Sequence, residues 1–262
     1  MIHDPCGIAS IHRKWLRSLG VKSHVTQRAR YDFGDVSKYY NADLIRANAK
    51  SFKWLCFLRA LKYGIIHIHS LDTFVETMRF LNKPIVLEYH GSEIRYCGQD
   101  RKRHYTKAEA VLVSTPDLLK DLPKAHYLPN PVDTDLFKPM SEHSDNTALY
   151  YVKDLPLEDR ERPFRLAKEH GLELTIKNKN TDVIPYEQMA RCLNKFSYFI
   201  DVRFHPGYLE GTGYLSKIAL EALACGLKVI RFDDKIIDPP LPAQHLPENV
   251  ARELMDIYEE LS

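Results

Sequence analysis

The densest chemical potential in this chain lies in Gly211-Thr-Gly-Tyr-Leu-Ser-Lys-Ile-Ala-Leu-Glu221. Its apolar positions recur at helical spacing from Leu215 to Ala224. A helix starting near Gly213 would aim its first N–H groups and the positive end of its dipole at whatever precedes it, a setting that suits a phosphate. Gly211 and Gly213 allow close backbone approach, Tyr214 and Leu215 continue that approach, Ser216 offers a hydroxyl and Lys217 a charge. Glu221 follows about two turns along. The plain alternative is an amphipathic helix with Glu221 facing water.

A second candidate is His90, which follows an apolar strand and precedes Gly91. The carboxyl end of a parallel strand is where ligands bind in open α/β sheets, so this imidazole could meet a substrate oxygen. A loop histidine satisfied by backbone is the plain alternative. His67 and His69 alternate with isoleucines and so share one strand face. They would suit a metal if a third ligand were at hand; none is evident in the sequence, and core or strand-end histidines are the expectation.

The elements that must position these residues alternate. Ile8 to Leu19 and Asp72 to Leu81 read as helices, and Ala42 to Tyr63 as one or two more. Val21 to Val25, Ile65 to His69, Pro84 to Tyr89, Ala110 to Val113 and Tyr127-Leu128 read as strands. Pro129-Asn130-Pro131 and the polar stretch from Met140 to Asn146 form a turn and linker. Beyond them come strands Ala148 to Val152, Leu172 to Ile176, Tyr198 to Val202 and Lys228 to Phe232. The helices there are Glu161 to His170, Tyr186 to Leu193, Leu215 to Ala224 and Pro247 to Leu261. Short apolar strands separated by helices imply parallel sheets covered on both faces. The expectation is an α/β chain of two Rossmann-like halves, the first without an opening strand because a helix begins at Ile8.

Composition narrows the function classes. Of 262 residues, 44% are hydrophobic and 27% charged, as in a folded chain. A net charge of only +2 argues against a general nucleic-acid binder. The basic run Arg101 to His104 reads as a solvated loop. Five scattered cysteines lack zinc-like spacing, so no metal site is expected. With no secretory signal and no apolar run of the roughly 20 residues that span a bilayer, the expected location is the cytoplasm. Lys50, Lys53, Arg59 and Lys62 interleave with Phe52, Trp54, Leu55 and Leu58, a pattern that also fits peripheral contact with the inner face of a membrane.

Four motifs in register then resemble one family. Asn130-Pro-Val-Asp-Thr-Asp-Leu-Phe-Lys-Pro139 is similar to the hinge signature of retaining, family 4 type glycosyltransferases with the GT-B fold. Leu220-Glu-Ala-Leu-Ala-Cys-Gly-Leu-Lys-Val-Ile230 resembles their donor-site helix and following strand, Tyr89-His-Gly-Ser-Glu-Ile94 their His-Gly loop, and Asp4-Pro-Cys-Gly-Ile-Ala-Ser10 their early glycine loop. The chain resembles a short form of the family.

The resemblance implies an acceptor-side domain over residues 1–139 and a nucleotide-sugar donor domain over 140–262, with the last helix free to pack back on the first. It implies transfer of a hexosyl group from a nucleotide-diphosphate sugar to a hydroxyl of a glycan or lipid-linked acceptor, with no metal and no cofactor beyond the donor. Glu221 would hold the ribose; Ser216, Lys217 and the approach from Gly213 through Tyr214 and Leu215 would hold the diphosphate. Gly7 would let the first loop approach the donor, His90 would contact the sugar, and Glu93 and Arg95 would line the acceptor side. Two positions depart from the pattern. The sugar-contacting glutamate, expected with seven residues between it and Glu221, is Gly213, which leaves Glu210 as substitute, a backbone contact in its place, or no such contact. The Gly-Arg after the first strand of the second domain is absent, which leaves Lys153 to meet the diphosphate, with Arg160, Arg162 and Arg165 as candidates for a second cation. A scaffold that binds nucleotide or glycan without turnover is the alternative, and a nucleotide-sugar epimerase a more distant one.

Overall fold

The computed structural model describes residues 1–91, 94, 102–140, 144–152, 161–202, 214–231 and 233–262. The chain divides into two compact units, Met1–Pro131 with Pro247–Ser262, and Val132–Leu246. Both are α/β.

The first unit is built on parallel strands β1 (Thr26–Arg28), β2 (Asp43–Ile45), β3 (Ile66–His69), β4 (Ile85–Tyr89), β5 (Ala110–Val113) and β6 (His126–Tyr127). β3 to β6 lie side by side in chain order, and β1 pairs β2. Ile2 joins the two sets by bridging Thr26 on one side and Ile68 on the other. Its N–H donates to the His67 carbonyl at 2.8 Å, and its carbonyl accepts from His69 at 3.0 Å. The opening strand expected to be missing is therefore supplied by Ile2, whose single bridged position leaves no periodicity to read.

Helix α1 (Ile8–Ser18) follows at once and buries Ile8, Ile11, Trp15 and Leu16. Asp4 fixes its start by accepting the Ser10 N–H at 3.2 Å and the Ser10 hydroxyl at 2.5 Å. Short helices α2 (Val36–Tyr39), α4 (Val75–Met78) and α5 (Lys102–Tyr105) connect the strands, and α3 (Ala49–Ala60) covers the sheet. Ile66, Ile68, Ile85, Leu87 and Tyr89 point into one apolar core with Phe52 and Cys56 of α3. On the other side Leu16 of α1 packs with Val86, Leu112 and residues Val250 and Leu254 of α9 (Pro247–Glu260). Each such large side chain, fully buried, contributes roughly 1.5–3 kcal/mol.

Two expectations shift. The strand read at Val21 to Val25 forms instead at Thr26–Arg28, and the stretch read as wholly helical from Ala42 contains β2 before α3 begins. Pairing with β1 overrides the local helical pattern there. Asn48 then starts α3 by accepting the Ser51 N–H at 2.9 Å.

The second unit carries β7 (Thr147–Val152), β8 (Glu173–Asn178), β9 (Tyr198–Asp201), β10 (Lys228–Arg231) and β11 (Ile236–Ile237) in the order β11-β10-β9-β7-β8. All neighbours are parallel except β11, which turns back on β10. Helices α6 (Arg162–Glu169) and α8 (Lys217–Ala224) pack on this sheet, and α7 (Tyr186–Leu193) packs on α8. The segment that resembles a hinge is built into this unit from Val132 on. Phe137 is fully buried, with its ring 5.6 Å from Tyr186 of α7.

Candidate functional site

The donor-helix expectation meets a definite geometry. α8 starts at Lys217, four residues later than the start read near Gly213. Ser216 is its N-cap: its Oγ accepts the Ala219 N–H at 3.2 Å, while its own N–H donates to Asp201 Oδ2 at 2.8 Å. The capping bond stops the helix from extending backward. Asp201 closes β9, so strand end and helix start are tied together, an arrangement that leaves first-turn N–H groups at the carboxyl edge of the sheet.

Glu221 does not face water. It is 4% exposed and forms an ion pair with Lys217, itself largely buried, one turn earlier. Burial pushes the Glu221 carboxyl up, and Lys217 and then Lys179 act against that rise. Lys217 also sits 5.7 Å from the Phe137 ring centre, which fixes its stem. Asp133, fully buried where the second unit begins, adds negative charge near Glu221.

Lys179 was not singled out in the sequence. It directly follows β8, donates its N–H to the Val152 carbonyl at 2.7 Å and holds its ammonium 5.1 Å from the Tyr151 ring centre. A lone lysine in Lys177-Asn-Lys-Asn180 reads as a solvated turn; only the sheet order β9-β7-β8 brings this strand end toward α8. Of the candidate second cations, Arg162 binds Asp234 at 2.9 Å, and the exposed Arg165 lies near Glu169 and the same Asp234. Tyr214 and Leu215 are half-buried just before the cap. Glu93, Arg95, Lys153, Glu210 and Gly213 lie outside the described residues, as do Arg160 and Gly211.

In the first unit, Gly7 is buried at the start of α1 with φ of 81°. That left-handed conformation strains any residue with a Cβ. Gly91, φ 134°, follows His90 for the same reason. His90 itself turns into the protein. It stacks on His69 with ring centres 5.3 Å apart and planes 2° from parallel, and its Nε2 lies 3.1 Å from His69 Nδ1.

His90 thereby joins a cluster absent from the sequence reading. Three imidazole nitrogens converge on Glu88 Oε2: His67 Nε2 at 3.1 Å, His12 Nε2 at 3.4 Å and His69 Nδ1 at 3.5 Å. All four residues are buried. The register that pairs His69 with Glu88 brings β3 and β4 together, α1 brings His12, and Tyr258 of α9 hydrogen-bonds His67 Nδ1 at 2.7 Å. Burial lowers His67 to about 4 and His69 well below the ordinary imidazole range. Burial works against the Glu88 carboxylate too, yet the imidazoles of His90, His69 and His12 hold it well below the usual range. The sequence signal was the lone carboxylate in Pro-Ile-Val-Leu-Glu-Tyr, an anion in an otherwise apolar strand. Glu88 adds a carboxylate beside His67 and His69: potential ligand atoms of these three residues lie within 4.8 Å of one another.

No family model matches this sequence, and no curated protein matches it. Among solved structures, an α-glucosyltransferase in complex with UDP and a 13-mer DNA containing a central A:G mismatch is similar, with a TM-score of 0.54 and 13% identity over 99% of this chain and 88% of that one. Acinetobacter baumannii MurG gives a TM-score of 0.44 and 12% identity, over 98% of this chain and 82% of its own. The glycotransferase of kitacinnamycin gives 0.41 and 10%, over 97% and 83%. What the first of these shares with this chain is the fold, an α/β chain of two Rossmann-like domains of the GT-B kind.

Proposed function

We propose that this chain is a glycosyltransferase that moves a hexosyl group from a nucleotide-diphosphate sugar to an acceptor hydroxyl with retention of configuration. The observation that carries the proposal is the buried Lys217–Glu221 pair at the first turns of α8, beside the strand end at Asp201. Burying such a pair costs more solvation than its attraction returns in many proteins, so a use beyond stability is the economical explanation. A nucleoside diphosphate provides one: Glu221 accepts from ribose hydroxyls, while the first-turn N–H groups, the Ser216 hydroxyl, Lys217 and Lys179 face the diphosphate. Lys153 adds a cation and Glu210 contacts the sugar, while His90, stacked on His69 and 9% exposed, meets it only along its exposed edge. Gly7 gives the first loop room, and Glu93 and Arg95 belong to the acceptor side. Catalysis is electrostatic stabilisation of the leaving diphosphate together with alignment of the two substrates. The transfer step uses no metal.

The acceptor reading favours a hydroxyl presented at a lipid surface. α3 is apolar on two sides: Phe52, Cys56 and Ala60 are buried, while Trp54, Leu58 and Leu61 are 53%, 57% and 54% exposed beside Lys50, Lys53 and Lys62. Among the described residues no helix is long and apolar enough to cross a membrane. An exposed apolar stripe with flanking lysines suits anionic lipid. Co-sedimentation with anionic but not zwitterionic vesicles, lost in Trp54→Ser/Leu58→Ser, tests it.

The test of function is release of nucleoside diphosphate from a panel of nucleotide sugars with pooled acceptors. The pool includes glycans, lipid-linked acceptors and duplex DNA, the last because the similar α-glucosyltransferase was solved with DNA. Turnover that falls in Glu221→Ala and Lys153→Ala supports the proposal. Thermal stabilisation of about 2.7 kcal/mol at a hundred times the dissociation constant, with no turnover in any arm, makes the chain a non-catalytic nucleotide binder instead.

A further inference from the structure

The His–Glu cluster of the first unit is not explained by sugar transfer. Among the described residues, His12 Nδ1 and Nε2, His67 Nε2, His69 Nε2 and Glu88 Oε2 are buried without a hydrogen-bond partner, although three of these nitrogens or their ring mates stand 3.1–3.5 Å from the same oxygen. Close approach without hydrogen-bond direction is uncommon for buried polar atoms and calls for an explanation in each case. A metal ion supplies one. Bonds of about 2.0–2.1 Å to imidazole nitrogen and carboxylate oxygen in a tetrahedron place neighbouring ligand atoms roughly 3.3 Å apart. The distances from Glu88 Oε2 to His67 Nε2 and His69 Nδ1, 3.1 and 3.5 Å, bracket that edge length, and binding through His69 Nδ1 would take the place of its 3.1 Å hydrogen bond with His90 Nε2.

We propose that His67, His69 and Glu88 bind a divalent first-row transition-metal ion of the zinc class between the sheet and α1. Donor chemistry fits: imidazole suits zinc, copper, iron and nickel, whereas magnesium and calcium take oxygen. An outer hydrogen bond is already in place, because Tyr258 holds the other ring nitrogen of His67 at 2.7 Å and such partners orient metal-bound imidazoles. Enclosure between α1, β3 and β4 makes this a structural ion that pins the first helix to the sheet. His90, stacked on His69, is thereby set in place from behind. The inference is independent of the donor site in the second unit.

The experiment uses the full chain, stripped with a chelator and titrated with Zn(II) and with Co(II). One ion per chain, a rise in melting temperature with zinc, and visible d–d bands of a four-coordinate cobalt site are the expected results. Glu88→Gln and His69→Asn should each lower zinc affinity at least tenfold, and His170→Ala, exposed in the second unit, should leave it unchanged. If the ligand variants fail to fold, X-ray absorption at the zinc edge of the wild-type chain decides. A shell of nitrogen and oxygen with imidazole scattering supports the site; a shell containing sulfur overturns it. No binding of either ion by the folded wild-type chain, or binding that survives both ligand variants, also overturns it.

Discussion

Among the described residues each unit buries one glutamate, Glu88 or Glu221, and the two are treated in opposite ways. Glu88 is met by nitrogens of His12, His67, His69 and His90, and its acidity is strengthened despite burial. Glu221 is met chiefly by Lys217, one turn away on its own helix, and burial prevails, raising its pKa. Surrounding groups drawn from α1, β3 and β4 can outweigh desolvation; a single intrahelical partner cannot. The contrast separates a carboxylate locked into the architecture from one whose hydrogen-bonding capacity is kept for something that arrives.

The largest effect should come from breaking the smaller arrangement. Lys217→Met leaves Glu221 buried without its main cation and should cost about 3–5 kcal/mol in urea unfolding, with Lys217→Met/Glu221→Leu recovering most of it. A single-variant loss under about 1 kcal/mol would mean that the pair is solvated. Next comes the cluster of the first unit. Tyr258→Phe removes the partner of His67 Nδ1 and should cost about 1–3 kcal/mol; no loss would show that this nitrogen finds another partner. Ser216→Ala removes the α8 cap and should cost about 1 kcal/mol. Ser216→Asp restores the cap but places a negative charge where the diphosphate is proposed to sit, so stability should return while nucleotide affinity falls. Affinity that recovers with stability would separate the cap from the binding site. Lys179→Ala should change stability least, by no more than about 0.5 kcal/mol, yet weaken nucleoside diphosphate binding about tenfold, or 1.4 kcal/mol.

The second unit was the more legible of the two. Tyr186–Leu193 forms over the residues its periodicity marks, and β7 to β10 each fall within two residues of their apolar runs. Lys217 and Glu221 stand four residues apart, but the expectation for Glu221 was a ribose contact or solvent, and nothing in the spacing reveals that both side chains are inside, because burial is set by Phe137 and by strands distant in sequence. The opening strand of the first unit escaped because one bridged residue, Ile2, carries no pattern. The histidine cluster escaped for a related reason. Alternation placed His67 and His69 on one face, but their convergence on Glu88 needs the β3–β4 register and the docking of α1, neither of which local spacing encodes.

The central claim is that α8 of the second unit holds a nucleoside diphosphate through Glu221. Calorimetric titration of the full chain with uridine, guanosine, adenosine, cytidine and thymidine diphosphates tests it most directly, with Glu221→Gln alongside. One-to-one binding of at least one of them is expected, with an affinity at least tenfold weaker in Glu221→Gln, while its melting temperature shows the variant folded. No binding by any diphosphate, or equal binding by wild type and Glu221→Gln, would contradict it.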